Sequence, residues 1–166
     1  MERVLVIGSP GSGKSTLAAA IAARTGLPLV HLDQHYWRPG WVEPDAVTWL
    51  GQVEALAAGP RWVMDGNYGG TLQARLPRAD TIVWLDFPTR LCLLRVARRA
   101  WRHRDRVRPD MAEGCPEQLR PAFVLHILKF RFHSRRRVVS RLEGYTGCLI
   151  HLRSPREAAH WLAGLA

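Results

Sequence analysis

The segment Gly8-Ser9-Pro10-Gly11-Ser12-Gly13-Lys14-Ser15 stands directly behind the apolar run Val4-Leu5-Val6-Ile7. It fits G-x-x-x-x-G-K-[ST] at every fixed position, with a strand-like run before it and an alanine-rich helical stretch, Lys14 to Arg24, after it. Few folds accommodate that order. The backbone must turn its N–H groups inward around an anion, which needs glycine at unusual dihedrals. The following helix adds the positive end of its dipole. Lys14 then reaches the β- and γ-phosphates, and Ser15 offers its hydroxyl to Mg2+. The expected ligand is ATP with Mg2+, held by Gly8, Pro10, Gly11, Ser12, Gly13, Lys14, Ser15 and Thr16. A glycine-rich turn that merely precedes a helix leaves Lys14-Ser15 unexplained.

The rest of the chain repeats the alternation. Further strands are expected at Leu29–Leu32, Trp62–Met64, Thr81–Leu85 and Cys148–Leu152. Helices are expected at Asp45–Ala58, from Thr89 to about Arg104, over most of Glu117–Leu142, and at Pro155–Leu165. Strands alternating with helices make βαβ units, hence an α/β fold with a parallel sheet covered on both faces. At 166 residues a single domain over 1–166 is expected. On the helix from Thr89, the expected apolar stripe is Leu91, Leu94, Val96, Ala97 and Trp101.

Ligands of open α/β sheets bind outside the carboxyl ends of the strands. Asp65 ends Trp62-Val63-Met64 and is followed by Gly66-Asn67-Tyr68, a Walker B pattern that predicts a carboxylate on Mg2+ beside Ser15. A turn-capping role is the plainer alternative. Asp33 ends the second strand in His31-Leu32-Asp33-Gln34-His35. There it could take the proton of an acceptor hydroxyl, contact magnesium, or simply form a turn. His31 and Asp33 alternate on that strand, but no further metal ligand is evident. Asp86, before Phe87-Pro88-Thr89, reads as structural. Tyr36-Trp37-Arg38-Pro39-Gly40-Trp41 either stacks on a ligand or plugs a gap under its loop.

Charge narrows the partners. Lys plus Arg total 24 against 14 acids, a net charge of +10, and Lys14 and Lys129 are the only lysines. Such a balance favours anionic partners. Arg95, Arg98, Arg99, Arg102, Arg104, Arg106 and Arg108 run from a helix into a loop, and residues of about 104–118 read as an arginine-rich lid. In that reading Arg98 and Arg102 close on the triphosphate beside Lys14 and Asp33. A solvated basic face or a nucleic-acid patch is the competing account. Cys92, Cys115 and Cys148 have no metal-ligand spacing and no disulfide pattern. No stretch approaches the ~18 apolar residues of a membrane span, and no secretory leader precedes the first strand. A reducing, cytoplasmic setting is expected.

The motifs Gly8–Ser15, Leu32-Asp33, Trp37-Arg38-Pro39-Gly40-Trp41, Trp62-Val63-Met64-Asp65-Gly66-Asn67-Tyr68 and Arg106–Cys115 together resemble the adenylate-kinase-related P-loop proteins often labelled DNA topology modulation proteins. The resemblance covers essentially the whole chain. More distantly the sequence looks like shikimate and gluconate kinases and adenylate kinase. The likeness implies a three-layer P-loop NTPase fold with a five-stranded parallel sheet in the order 2-3-1-4-5. It implies that Arg98 or Arg102 lies where lid arginines pack on adenine or touch phosphates. It also implies that the turn at Arg153-Ser154-Pro155 borders the adenine. Two departures stand out. Asp65-Gly66-Asn67-Tyr68 replaces the Asp-Gly-Phe-Pro-Arg of adenylate kinase, and the Gly-Gly-Gly of shikimate kinase is absent, so the acceptor pocket belongs to neither.

These readings lead to two expectations about activity. One is a kinase-like phosphotransferase acting on a small-molecule acceptor with Mg-ATP. The other is a nucleotide-dependent DNA-binding or regulatory protein in which ATP is a switch. The positive charge flanks the lid, and no helix-turn-helix or zinc module is apparent, which favours the first.

Overall fold

The computed structural model describes residues 1–165. Its centre is a five-stranded parallel sheet in the order β2-β3-β1-β4-β5. The strands are β1 (Arg3–Gly8), β2 (Leu29–His31), β3 (Trp62–Asp65), β4 (Thr81–Leu85) and β5 (Cys148–Leu152). In β1, β3 and β4 nearly every residue is buried, as strands covered on both faces must be. Their registers bring Val6 opposite both Asp65 and Val83, so the strand leading into the P-loop is central.

Alternation along the strands sorts the core into two layers. On one face Leu5, Ile7, Met64 and Trp84 pack with Trp49 and Val53 of α3 (Ala46–Ala57), Leu72 of α4 (Leu72–Arg75) and Val138 and Leu142 of α7 (Ser134–Leu142). On the other, Val4, Val6, Val63 and Val83 pack with Leu17 and Ile21 of α1 (Lys14–Thr25), Cys92 and Val96 of α5 (Thr89–Arg102) and Ile127 of α6 (Pro121–Phe130). Ala158 and Trp161 of α8 (Pro155–Ala163) close that second layer. The expected three-layer α/β architecture and strand order are therefore both present.

Local signals place the helix ends. Gly26 caps α1 in the left-handed conformation, φ 67°, with its N–H on Ala22 O. Asp45 caps α3 by accepting from Thr48 N at 2.9 Å.

Three local expectations change. β2 stops at His31, and Leu32–Tyr36 forms a short helix, α2, so Asp33 sits on a helical turn and does not alternate with His31 on a strand. The helical stretch expected over Glu117–Leu142 begins at Pro121 and breaks after Phe130, where the N–H groups of Phe132 and His133 both turn back to Lys129 O. On α5 the core side is Cys92 and Val96, while Leu94 is 66% and Trp101 84% exposed. The P-loop seats on that core side: a Cβ at Gly11, φ 81°, would lie 2.4 Å from Cys92 O. Of the expected stripe, Val96 lies in this core and Leu91 packs against it, while Leu94, Ala97 and Trp101 are on the exposed side.

Candidate active site

The carboxyl ends of the strands open into one cavity of about 800 Å3. The P-loop crosses its middle. Residues following β2 and β3 wall one half, and α8, which follows β5, walls the other with Pro155, Ala158 and Leu162.

The P-loop is shaped for an anion. Gly11 and Gly13 have φ of 81° and 95°, conformations that L side chains rarely adopt. Gly13 precedes α1 without any side-chain cap, so the first N–H groups of that helix have no partner within it. Ser12 Oγ is buried with no hydrogen-bond partner. Lys14 Nζ donates to Ser9 O at 3.1 Å. Burial lowers the Lys14 pKa, against the opposing pull of Asp65 and Asp33. Unpaired donors around a glycine turn fit phosphate oxygens. The Ser15 hydroxyl and the Asp65 carboxylate, both on the cavity wall, fit a hard cation with oxygen ligands. Asp65 is 4% exposed and lies 2.6 Å from His31 Nδ1. Burial pushes His31 down, but the Asp65 bond and charge outweigh it and the net shift is upward. Among the described residues no cluster of three His, Cys, Asp or Glu side chains is arranged to hold a metal by itself. A metal here would depend on phosphate oxygens as further ligands.

On the β2–β3 side, Asp33 lines the cavity and accepts a hydrogen bond from Tyr68 Oη at 2.5 Å. Burial raises the Asp33 pKa, and the Tyr68 bond and Lys14 pull it back only in part. Asn67 lines the cavity too. Its amide spans β3 to β1, accepting from Gly8 N at 3.0 Å and donating to Gly8 O at 2.6 Å. Arg75 is completely buried and has no acid partner among the described residues. Instead its guanidinium donates to Gly66 O at 2.9 Å, Asn67 O at 2.7 Å and Tyr68 O at 3.1 Å. Burial lowers its pKa to about 10. This arginine fixes the loop that presents Tyr68, and sequence reasoning missed it. No motif surrounds it, and the only signal was an arginine among apolar residues, Leu72 to Leu76.

The roof of the cavity is residues 103–120, close to the expected lid. Glu117, 5% exposed, accepts from Arg99 Nε at 3.0 Å and lies 2.6 Å from Arg108 Nε. Arg108 also grips Asp110 with Nη1, at 2.8 and 2.6 Å. Burial lowers the Arg99 pKa, aided by Arg108 and opposed by Glu117. Burial would raise Asp110, but Arg108 and the Ser15 hydroxyl hold it low. The roof rests on the aromatic loop. Met111, Ala112 and Cys115 pack on Trp37 and Trp41, Gly40 N donates to Gly114 O at 3.0 Å, and Cys115 Sγ donates to Arg38 O at 3.2 Å. The two tryptophans thus both fill the gap beneath the roof and line the cavity.

The orientation of α5 decides which arginines reach the cavity. Arg95 and Arg99 line it, and Arg95 Nη1 donates to Ser12 O at 2.8 Å while packing over the Phe87 ring. Arg98 and Arg102 are exposed on the outer side of the helix and do not line it. Arg153 is exposed too, with its N–H on Glu157, and Pro155 is the residue of that turn that borders the cavity. Pro10, Gly11, Ser12, Gly13, Lys14, Ser15 and Thr16 all line it, whereas Gly8 is buried and does not.

Residues 4–55 match the sequence profile of the ATPase family associated with various cellular activities (AAA), the stretch that carries β1, the P-loop and α1. No curated protein matches the sequence. Among solved structures, a shikimate kinase from Acinetobacter baumannii in complex with shikimate superposes with a TM-score of 0.59 at 17% identity, covering 98% of this chain and 89% of that one. A gluconokinase from Sinorhizobium meliloti 1021 superposes with a TM-score of 0.54 at 20% identity, covering 99% and 93%. At such identities the likeness is one of fold. It shows the same parallel-sheet architecture that these two small kinases have, with the P-loop behind the central strand.

Proposed function

We propose that the protein is a phosphotransferase that moves the γ-phosphoryl group of ATP to a small molecule seated beside Asp33. The observation that carries this reading is the placement of Lys14, Asp33 and Asp65 on one cavity wall at the ends of β1, β2 and β3. In this reading ATP lies along Gly8–Thr16, with its base toward Pro155 and α8. Mg2+, held by Ser15 and Asp65, supplies charge neutralisation at the phosphates. Lys14, Arg95, Arg99 and Arg108 take the roles expected of lid and P-loop cations. Arg98, Arg102 and Arg153 are left without a place at the phosphates. Asp33 accepts the proton of the acceptor hydroxyl as the new O–P bond forms, and the β–γ bridging oxygen leaves on ADP with its electron pair. The roof over residues 104–118 excludes water, and the whole of 1–166 works as one domain. Three free cysteines suit a cytoplasmic setting. No helix among the described residues is long and apolar enough to cross a membrane.

Kinship with the proteins labelled DNA topology modulation proteins belongs to this proposal and rests on the motifs at Asp33, Trp37–Trp41 and Asp65–Tyr68. A second reading, ATP-switched nucleic-acid binding, is favoured by one observation. Trp101 stands 84% exposed with Arg98 and Arg102 beside it on the outer face of α5. ADP release from Mg-ATP across a metabolite panel, with Lys14→Ala as control, tests the first reading. Stimulation by an acceptor that vanishes in Lys14→Ala supports it, and turnover intact in that variant sinks it. Salt-sensitive DNA binding that changes with ATP would support the second.

A further inference from the structure

The half of the cavity beside Asp33 is poor in free hydrogen-bonding groups. Its polar side chains are nearly all committed to the protein. Both ends of the Asn67 amide are on Gly8, and the Tyr68 hydroxyl is on Asp33. Arg108 is held between Asp110 and Glu117. The backbone offers little more, because Arg75 takes the carbonyls of Gly66, Asn67 and Tyr68. The remaining wall is Trp37, Trp41, Tyr68 and Met111. Few groups stay available. They are the Asp33 carboxylate, the Trp41 Nε1–H, buried without a hydrogen-bond partner, the amide N–H2 of Gln118, and Arg120, which lies over the Trp41 ring at 5.5 Å, is bonded to Gln118 and has no carboxylate partner among the described residues.

A sugar acid with several hydroxyls needs a partner for each of them, and each one buried unpaired costs about 1–3 kcal/mol. A flat apolar body instead gains from contact with indole and phenol faces. We infer that the acceptor is an alcohol with a flat, largely apolar body, presenting one hydroxyl to Asp33 and carrying at most one anionic group toward Arg120. This rests on the phosphotransferase reading and adds the substrate class to it. Polyhydroxy acids of the shikimate or gluconate type do not fit such a wall, despite the shared fold.

The test uses the full chain saturated with Mg-ADP, and equilibrium dialysis of four probes. Indole-3-ethanol and 4-(hydroxymethyl)benzoate represent the inferred class; shikimate and gluconate represent the polyhydroxy acids. The first pair should bind at least ~10-fold tighter than the second, as one or two aromatic contacts supply. Trp37→Leu and Trp41→Leu should weaken the first pair by about that factor, and Arg120→Gln should weaken the benzoate alone. Shikimate or gluconate binding as tightly as the aromatic alcohols overturns the inference, as does the absence of binding by both aromatic alcohols in a protein that holds Mg-ADP. If the wild-type chain binds no Mg-nucleotide at all, the phosphotransferase reading itself falls, and this inference with it. The wild-type comparison decides the matter even if a tryptophan variant fails to fold.

Discussion

The Tyr68 hydroxyl donates to Oδ1 of Asp33 across 2.5 Å, joining the loop after β3 to the helical turn after β2. Burial raises the Asp33 pKa, and this bond is the foremost influence lowering it. Tyr68→Phe removes that influence, so Asp33 protonates more readily. A proton acceptor works only when ionised. The acid limb of the kcat/KM profile should therefore move to higher pH, and kcat/KM at neutral pH should fall ~10-fold, the scale of one lost hydrogen bond to a charged group. ATP affinity should hold. A profile unmoved by the substitution would remove Asp33 from the proton-accepting role.

Arg75 makes its contacts entirely with backbone carbonyls of residues 66–71. Arg75→Met keeps much of the volume and strands those carbonyls. At about 1–3 kcal/mol for each buried group left unpaired, some of which water will reach, a loss of ~3 kcal/mol is expected. For a chain of this length that lowers Tm by roughly 6–12 °C. Thermal unfolding followed by circular dichroism reads it directly, and a change under 2 °C would show that the loop holds its shape unaided.

Glu117 gathers Arg99 and Arg108 under the roof. Glu117→Gln leaves both guanidinium groups without that charge and should loosen residues 103–120. Limited trypsin digestion should then cut at Arg104 and Arg106 at least ~10-fold faster, since cleavage tracks the population of the open form. Added ATP should restore protection by offering phosphates to the same arginines. Equal digestion rates in the two proteins would mean that the tryptophan packing alone holds the roof.

Asp86 ties β4 to α7 and β5, accepting from Arg135 at 2.8 Å and lying 3.1 Å from His151 Nε2. Burial would raise its pKa, but Arg135 and then His151 outweigh this and the net shift is downward. A carboxylate lowered by folding stabilises the fold above its unfolded pKa, near 3.9, and that contribution fades as pH falls through the lower folded value. Asp86→Asn should cost about 1–2 kcal/mol at pH 7, reduced from the buried-pair figure because Arg135 is a third exposed. Urea midpoints should converge between wild type and variant as the pH approaches 3. Curves that stay parallel down to pH 3 would refute the linkage.

The sheet and the P-loop were legible because their signals are local: four buried apolar residues, then glycines where only glycine turns. Asp65 at the end of β3 and Asp33 on the turn just after β2 were legible as cavity carboxylates for the same reason, since the carboxyl ends of the strands face the cavity in this architecture. What was not legible depends on contacts far apart in the chain. The phase of α5 is set by the P-loop pressing on Cys92, a contact 81 positions away from Gly11. That contact swings Arg95 and Arg99 inward in place of Arg98 and Arg102. The role of Glu117 depends on Arg99 and Arg108 converging on it, and nothing in Pro116-Glu117-Gln118 announces that. The helical turn at Leu32–Tyr36 was hidden by Leu29-Val30-His31-Leu32, whose apolar character suits a strand equally well.

Gly114 and Cys115 are bonded to Gly40 and Arg38, so the roof and the tryptophan wall are one continuous piece. This has an evolutionary consequence. A change at Trp37 or Trp41 also alters the surface on which Met111 and Cys115 settle. In the phosphotransferase reading, selectivity and closure would then be inherited together, and a lineage drifting toward a new acceptor would need substitutions on both sides of that seam at once.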